Sequence, residues 1–283
     1  MNFSELELVK EVSIRSARRA GEMLLSRWSQ VRVIKEKGSE DVCTNLDLEV
    51  EDFLIRAIKS EPLFREHGID SEERGYEPGS SEYTWILDPI DGSKHYVRGI
   101  PMFSISIALK RGDETLFGLN FNPATQELFY AVKGRGAYLS DGKQEPAGAQ
   151  SPVSRCTQRL KVSERTRLED SFVYAELLKS TLPEAIFLQS HRQLGALFRR
   201  CARVRAFGSG SLGLCYVAKG AFEAYVDLCG TTKTYDVAAG CLMVEEAGGQ
   251  ITELRESSFP GYKWLMASNK KVHPQLLEAL KGS

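Results

Sequence analysis

The run Trp85-Ile86-Leu87-Asp88-Pro89-Ile90-Asp91-Gly92-Ser93-Lys94 is one that few folds can accommodate. An apolar strand ends in two acids separated by Pro89 and Ile90, with a glycine directly behind them. Buried strands do not normally end in paired carboxylates unless something offsets their repulsion. Oxygen-only ligands of this kind suit a hard cation such as Mg2+. Gly92 lets the backbone approach a ligand closely, and the N–H groups of Gly92 and Ser93 are donors of the kind that cradle phosphate. The plainer alternative is a polar turn capped by two acids, and what weighs against it is where the other acids fall.

Those acids are Glu72 and Glu73, in Gly68-Ile69-Asp70-Ser71-Glu72-Glu73, and Asp236, in Tyr235-Asp236-Val237-Ala238-Ala239-Gly240. Glu72 precedes the Asp88 strand in a loop, where a carboxylate can bridge a cation and a water. Asp236 opens a helix of small residues, which allows close packing on a sheet. Each is bland alone: a Glu-Glu pair is usually solvated surface, and an Asp at a helix start is usually a cap.

The rest of the chain alternates in period. Residues 4 to about 28 read as one amphipathic helix, opened by a capping box at Ser4-Glu5-Leu6-Glu7. A strand is expected at Val31 to Ile34. Thr44 and Asp47 signal a second helix start, with Asp47 and Glu51 off its apolar face. Strands follow at Thr84 to Leu87, Phe103 to Leu109, Leu116 to Asn122 and Leu128 to Val132, joined by glycine turns such as Lys133-Gly134-Arg135-Gly136. The polar stretch from Asp141 to Ser154 divides the chain, giving an α+β half over residues 1–145 and an α/β half over 146–283. In the second half strands are expected at Phe172 to Ala175, Val204 to Phe207, Ala221 to Leu228, Gln250 to Leu254 and Trp264 to Ala267. Helices are expected at Pro183 to Cys201, Ser209 to Lys219 and Tyr235 to Ala247, with a last one after Pro274.

Bulk properties narrow the class. Lys and Arg total 37 against 38 Asp and Glu, a net charge of -1, so there is no electrostatic footprint for nucleic acid. No apolar run has the length a bilayer crossing needs. Six scattered cysteines with no Cys-x-x-Cys pair suggest reduced thiols in the cytoplasm, each a small buried hydrophobe. His67, His95, His191 and His273 are isolated, and none reads as a nucleophile.

Taken together, Asp-Pro-Ile-Asp-Gly-Ser, the upstream Glu-Glu and the downstream Tyr-Asp-Val-Ala-Ala-Gly resemble the inositol monophosphatase family of metal-dependent, lithium-sensitive sugar phosphatases. The resemblance runs from Lys37 to the Val-Glu-Glu-Ala-Gly-Gly segment ending at Gly249. It implies an α/β (α+β) chain with the layered αβαβα sugar-phosphatase fold, two or three Mg2+ per active site, and a homodimer. By that likeness Glu72 binds the first metal and helps activate the attacking water, while Asp88 is shared between metals. The Ile90 carbonyl is a backbone ligand, and Asp91 and Asp236 complete the second metal. Ser93 stands where the family usually has Thr and is expected to work with Glu72 in orienting the water. Lys37, Asp47 and Glu73 match an outer polar network around a weaker third site.

The implied chemistry is direct displacement by water, with two cations about 3.5–4 Å apart clamping the phosphate and no phosphoenzyme. Gly92 and Ser93 would meet the phosphate. Arg205-Ala206-Phe207-Gly208-Ser209-Gly210-Ser211 resembles the turn that lines the sugar ring, so Ser209 and Gly210 are substrate candidates; Ser209 is equally a helix cap. Asp227 falls where the family has an acid that hydrogen-bonds ring hydroxyls. The stretch from Asp227 to Asp236 is longer than in animal-type enzymes and is similar to the archaeal-type branch that also takes fructose 1,6-bisphosphate. There Lys233 is a candidate for a second phosphate, or a solvated loop lysine. Inositol 1-phosphate leads as substrate, then fructose 1,6-bisphosphate, with a 3′-phosphonucleotide or histidinol phosphate further behind. Two other classes stay open: a regulator associated with RNA or polymerase, and an inactive metabolite-binding homologue.

Overall fold

The computed structural model describes residues 1–36, 42–141, 157–176, 180–230, 232–254 and 264–281. The chain opens with helix α1 (Phe3–Ser26), strands β1 (Val33–Glu36) and β2 (Val42–Thr44), and helix α2 (Asn45–Lys59). Strands β3 (Gly68–Ser71), β4 (Gly75–Glu77) and β5 (Tyr83–Asp91) follow, then the short helix α3 (Ser93–Val97). A meander of β6 (Ser104–Arg111), β7 (Glu114–Asn122), β8 (Glu127–Val132) and β9 (Gly136–Asp141) leads to β10 (Thr157–Arg159). Next come β11 (Phe172–Ala175), α4 (Glu184–Arg200), β12 (Arg203–Arg205), α5 (Gly210–Ala218) and β13 (Ala224–Asp227). The chain closes with α6 (Thr234–Glu246), β14 (Gln250–Leu254), β15 (Trp264–Ser268) and α7 (His273–Lys281).

Two sheets carry the molecule. The larger runs β10-β9-β8-β7-β6-β5-β3-β4, and the smaller runs β12-β11-β13-β15-β14. The larger sheet is antiparallel except where β3 lies parallel to β5. In the smaller sheet β11 is parallel to both β12 and β13, and the other pairs are antiparallel.

Strand periodicity sorts the side chains into layers. Trp85, Leu87, Ile105, Ile107 and Phe117 share a core with Val9, Val12 and Leu24 of α1 and with Leu46, Val50 and Leu54 of α2. On the opposite face Ile86, Ala108, Phe129 and Ala131 meet Leu214 of α5 and Leu242 and Met243 of α6, which also touch Tyr225 of β13. Beyond the smaller sheet Val173, Val226 and Met266 pack on Leu197 of α4 and Leu276 of α7. The order is therefore helices, sheet, helices, sheet, helices: the αβαβα layering expected.

Helix starts follow local chemistry. The cap of α1 is Asn2, which accepts from the Glu5 N–H at 3.0 Å while Glu5 returns to the Asn2 N–H at 2.7 Å; the box is set two residues before the Ser4 position expected. Asn binds such a donor as well as Ser does, and the reciprocal Glu decides the register. Thr44 caps α2 as expected, with Asp47 completing the box. The division between halves at residues 145/146 lies outside the described residues, and the larger sheet reaches past it, because β10 pairs with β9. Cys43, Cys215 and Cys229 are buried, while Cys201 and Cys241 are half-buried; Cys156 lies outside the described residues. Among the described residues no helix is long and apolar enough to cross a membrane.

Close helix-to-sheet approach comes from glycine. A Cβ on Gly118 of β7 would lie 2.7 Å from the Ala239 Cα, and one on Gly240 would lie 2.6 Å from the Leu214 Cβ. So α6 can sit directly on the larger sheet and against α5, which fixes where Asp236 emerges.

Candidate active site

The site forms where β5 runs out beneath the starts of α5 and α6. Asp88 pairs with Ser106 across the ladder and Asp91 with Ser104, with an irregularity between them that lets both acids serve one space. Asp88 Oδ1 accepts from the Ile90 N–H at 2.9 Å. Gly92 then takes φ +91°, a left-handed conformation, and its missing Cβ leaves room for the Met102 carbonyl oxygen 2.9 Å from that position. This turn starts α3 and directs Ser93 inward.

Asp91 is held from the other half of the chain. Its Oδ2 accepts the Ser209 hydroxyl at 2.7 Å, the Ser211 N–H at 3.0 Å and the Ser211 hydroxyl at close range. The carboxylate thus caps α5 from outside, where helix dipole and free N–H groups favour an anion. Ser209 consequently does not cap its own helix: its hydroxyl is given to Asp91. Ser211 went unnoticed in the sequence; a hydroxyl two residues after Ser209 was the available signal.

Asp236 sits in the first turn of α6, where its Oδ2 accepts from the Lys233 N–H at 2.7 Å. One ligand atom each from Asp88, Asp91 and Asp236 lies within 4.8 Å of the others. Burial is the main cause that raises the proton affinity of all three above the ordinary carboxylate range. For Asp88 the charges of Glu72, Asp91 and Asp236 add to it, in that order, and Glu72 also hydrogen-bonds to the Asp88 carboxyl. For Asp236 the next contributor is Asp91, and Glu72 and Glu176 also push upward. A set of mutually repelling buried acids with oxygen donors only is the donor set a hard divalent cation fits.

Ser93 has Asp47 as its side-chain partner. Its hydroxyl donates to Asp47 Oδ1 at 2.8 Å and lies 2.9 Å from the Ile90 carbonyl oxygen, while Glu72 is engaged with Asp88. Asp47 is fully buried and also accepts the Thr44 N–H at 2.8 Å and the Thr44 hydroxyl. Burial raises its proton affinity, against the donors from Thr44 and Ser93. One turn on, buried Glu51 accepts the Glu73 N–H at 3.0 Å with Arg74 3.7 Å away, so α2 steadies the turn that carries Glu72. Lys37 lies outside the described residues.

The remaining candidates divide. Gly210 is buried at the first position of α5. Asp227 is 1% exposed and serves its own loop: it accepts the N–H groups of Cys229, Gly230 and Thr232 at 2.8, 3.0 and 3.3 Å, and the Thr232 hydroxyl. A carboxylate so employed shapes the stretch before α6. The Lys233 side chain is exposed, and its backbone is what holds Asp236.

A model of the inositol monophosphatase family matches residues 5–283. An inositol-1-monophosphatase of Caulobacter vibrioides is 34% identical over 278 residues, covering 95% of this chain and 100% of that one. A fructose-1,6-bisphosphatase/inositol-1-monophosphatase of Aquifex aeolicus is 30% identical over 99% of this chain and 97% of its own. The crystal structure of extragenic suppressor protein suhB from Bartonella henselae superposes with a TM-score of 0.83 at 28% identity, covering 97% of this chain and 98% of that one. With three clustered carboxylates delivered by an αβαβα framework, and a family match over nearly its full length, this chain belongs to the inositol monophosphatase family.

Proposed function

We propose that this chain is a Mg2+-dependent phosphomonoesterase that hydrolyses inositol 1-phosphate or a closely similar cyclitol or sugar phosphate. Family membership supports the coarser statement, a phosphatase of sugar phosphates. The single observation that carries the finer one is the convergence of Asp88, Asp91 and Asp236 on one space. Asp88, Asp91 and Asp236 would hold the cation, with Glu72 and the Ile90 carbonyl beside them. When bound, it would supply positive charge to offset the phosphate and to lower the barrier to attack by water.

The chain's own residues do the rest. Asp91 is oriented by Ser209 and Ser211, which hold one of its oxygens. Ser93, polarised by Asp47, offers its hydroxyl oxygen as an acceptor for a proton of the attacking water, which would aim the water at phosphorus. Glu72 is the neighbouring carboxylate that can take the water's other proton. Gly92 and Ser93 lie directly after Asp91, where their amides can meet phosphate oxygens.

Fructose 1,6-bisphosphate is the second reading, favoured by the Aquifex aeolicus relative whose name carries both activities. A homodimer in the cytoplasm belongs to the same proposal. The test is phosphate release with and without Mg2+, on both esters, for the wild type and Asp88→Asn. Magnesium-dependent release that is lost in the variant is the expected result. Turnover that survives Asp88→Asn would remove this carboxylate from the chemistry.

A further inference from the structure

The imidazole of His95, on α3, reaches three segments that flank Asp91. A Cβ on Gly92, the residue directly after Asp91, would lie 3.3 Å from His95 Nδ1. A Cβ on Gly208, the residue directly before Ser209, would lie 3.0 Å from His95 Cε1 and 3.4 Å from Nε2. Nδ1 itself lies 2.9 Å from the Met102 carbonyl oxygen. Met102 stands just before β6, whose first residue, Ser104, pairs with Asp91 across the ladder. One side chain thus touches the turn into α3, the approach to β6 and the turn before α5.

The seat is shaped for a ring. Gly92 and Gly208 both take positive φ, +91° and +66°, a region that residues with side chains rarely adopt. Their bare backbones leave the room that the imidazole fills. A carbonyl oxygen can only accept, so Nδ1 carries the proton and donates to Met102, and this bond fixes the orientation of the ring. The His95 backbone is anchored as well: its N–H donates to the Gly92 carbonyl at 2.9 Å, and its carbonyl accepts from Arg98 and Ile100 at 3.1 and 2.9 Å. A half-buried side chain held at its backbone and at Nδ1 has little freedom, so its Cε1–Nε2 edge sets how near Gly208 can come. The residue after Gly208 is Ser209, whose hydroxyl meets Asp91 at 2.7 Å.

We propose that His95 is a positioning residue: its ring is the spacer that holds the Gly208 turn at the distance from which Ser209 reaches Asp91, and so sets the carboxylate that a divalent cation would meet. The inference rests on Asp91 being a cation ligand, as in the phosphomonoesterase reading above. Contact with Gly208 is steric, because a glycine has no side chain to bond, and close-packed neighbours transmit such displacements. Groups that orient a metal-binding side chain typically change metal affinity by about 10- to 100-fold when they are removed. His95 would act one step further out, through Ser209.

The experiment is a double-mutant cycle of His95→Asn and Ser209→Ala, read as the Mg2+ concentration at half-binding by calorimetry. Asparagine keeps an N–H for the Met102 carbonyl and removes the ring edge that meets Gly208. His95→Asn is expected to raise the midpoint about tenfold. In the Ser209→Ala background the same substitution is expected to add nothing, because the bond through which His95 acts is already gone. Additive effects would overturn the inference, since His95 would then reach the cation site by another route or by packing alone. An unmoved midpoint in His95→Asn would overturn it too. Gly208→Ala displaces the same turn through a Cβ that meets Cε1, and is expected to raise the midpoint as well; no rise would count against the spacer. If the wild type binds no Mg2+, the cation-site reading is what has failed. Crystal structures of the wild type and His95→Asn then decide the inference separately. A Ser209 hydroxyl moved out of hydrogen-bond reach of Asp91 supports it, and a bond kept at its wild-type length sinks it.

Discussion

Ser209 donates its hydroxyl to Asp91 across 2.7 Å, joining the start of α5 to the end of β5. The bond links residues 118 positions apart, and Ser211 adds its own N–H and hydroxyl to the same oxygen. Hydrogen bonds to a charged acceptor contribute about 1.5–3 kcal/mol each. Ser209→Ala with Ser211→Ala should therefore lower stability by about 3–6 kcal/mol and raise the Mg2+ concentration needed for half-activity. Denaturant unfolding and a Mg2+ titration would measure the two effects; an undisturbed Mg2+ midpoint would mean that the serines do not orient Asp91.

Ser93 and Asp47 form a buried pair, with the hydroxyl 2.8 Å from Oδ1. Ser93→Ala removes the hydroxyl proposed to align the water and leaves Asp47 short of one donor. Turnover should fall about 10²- to 10⁴-fold, as for loss of a group acting in proton transfer. Ser93→Thr keeps the hydroxyl and should retain most of the activity. Phosphate release at saturating substrate separates the two variants.

Binding of Mg2+ should strengthen with pH. Burial keeps protons on the Asp88, Asp91 and Asp236 carboxyls to higher pH than on ordinary carboxylates, and at Asp88 and Asp236 the charges of neighbouring acids add to it. In the metal-free protein these groups favour folding at low pH, and that contribution is lost as pH rises through their raised titration range. A cation must displace the same protons, so its midpoint should fall as pH increases. Thermal melts with and without Mg2+ across a pH series would show a widening gap. A gap independent of pH would separate metal binding from these protons.

Gly118 is where β7 lets α6 approach. An alanine there would set its Cβ 2.7 Å from the Ala239 Cα and 2.8 Å from the Ala239 carbonyl oxygen, and backbone atoms cannot rotate away. Gly118→Ala should cost about 1–3 kcal/mol through overpacking. Because Asp236 rides on α6, the shift should also weaken Mg2+ binding several-fold. Melting temperature and Mg2+ midpoint ought to move together; a stability loss alone would show that α6 rocks without displacing Asp236.

His67 stands at the base of β3 and is 3% exposed, with the Trp85 indole N–H donating to its Nδ1 at 3.2 Å. Burial, helped by the charge of Lys59, pushes its titration down to about 4. In the unfolded chain a histidine titrates near 6.5, so below that pH the unfolded state binds the extra proton. Stability from this residue is complete above about pH 6.5 and is lost as pH falls toward 4, by up to about 3 kcal/mol. His67→Asn should flatten the stability curve over that window, as read by urea unfolding at each pH.

Helices α2, α4, α5 and α6, and strands such as β7, β8 and β11, were legible because hydrophobic period, glycine stops and the Thr44/Asp47 box are local signals. The acids Asp88 and Asp91 stood out for the same reason, since an apolar strand ending in paired carboxylates is itself a local anomaly. The short elements β3, β4, β10 and α3 had no such signal: three to five residues carry too little periodicity, and their pairing partners decide them. The partners of the polar groups were likewise beyond local reading. Ser93 pairs with Asp47 from 46 positions away, and Ser211 with Asp91 from 120. Residue types and their spacing name the chemistry, because side-chain pattern is written along the chain. Which carboxylate answers which hydroxyl depends on the glycine contacts that let α5 and α6 settle onto the sheets, and those distances exist only once the layers have packed.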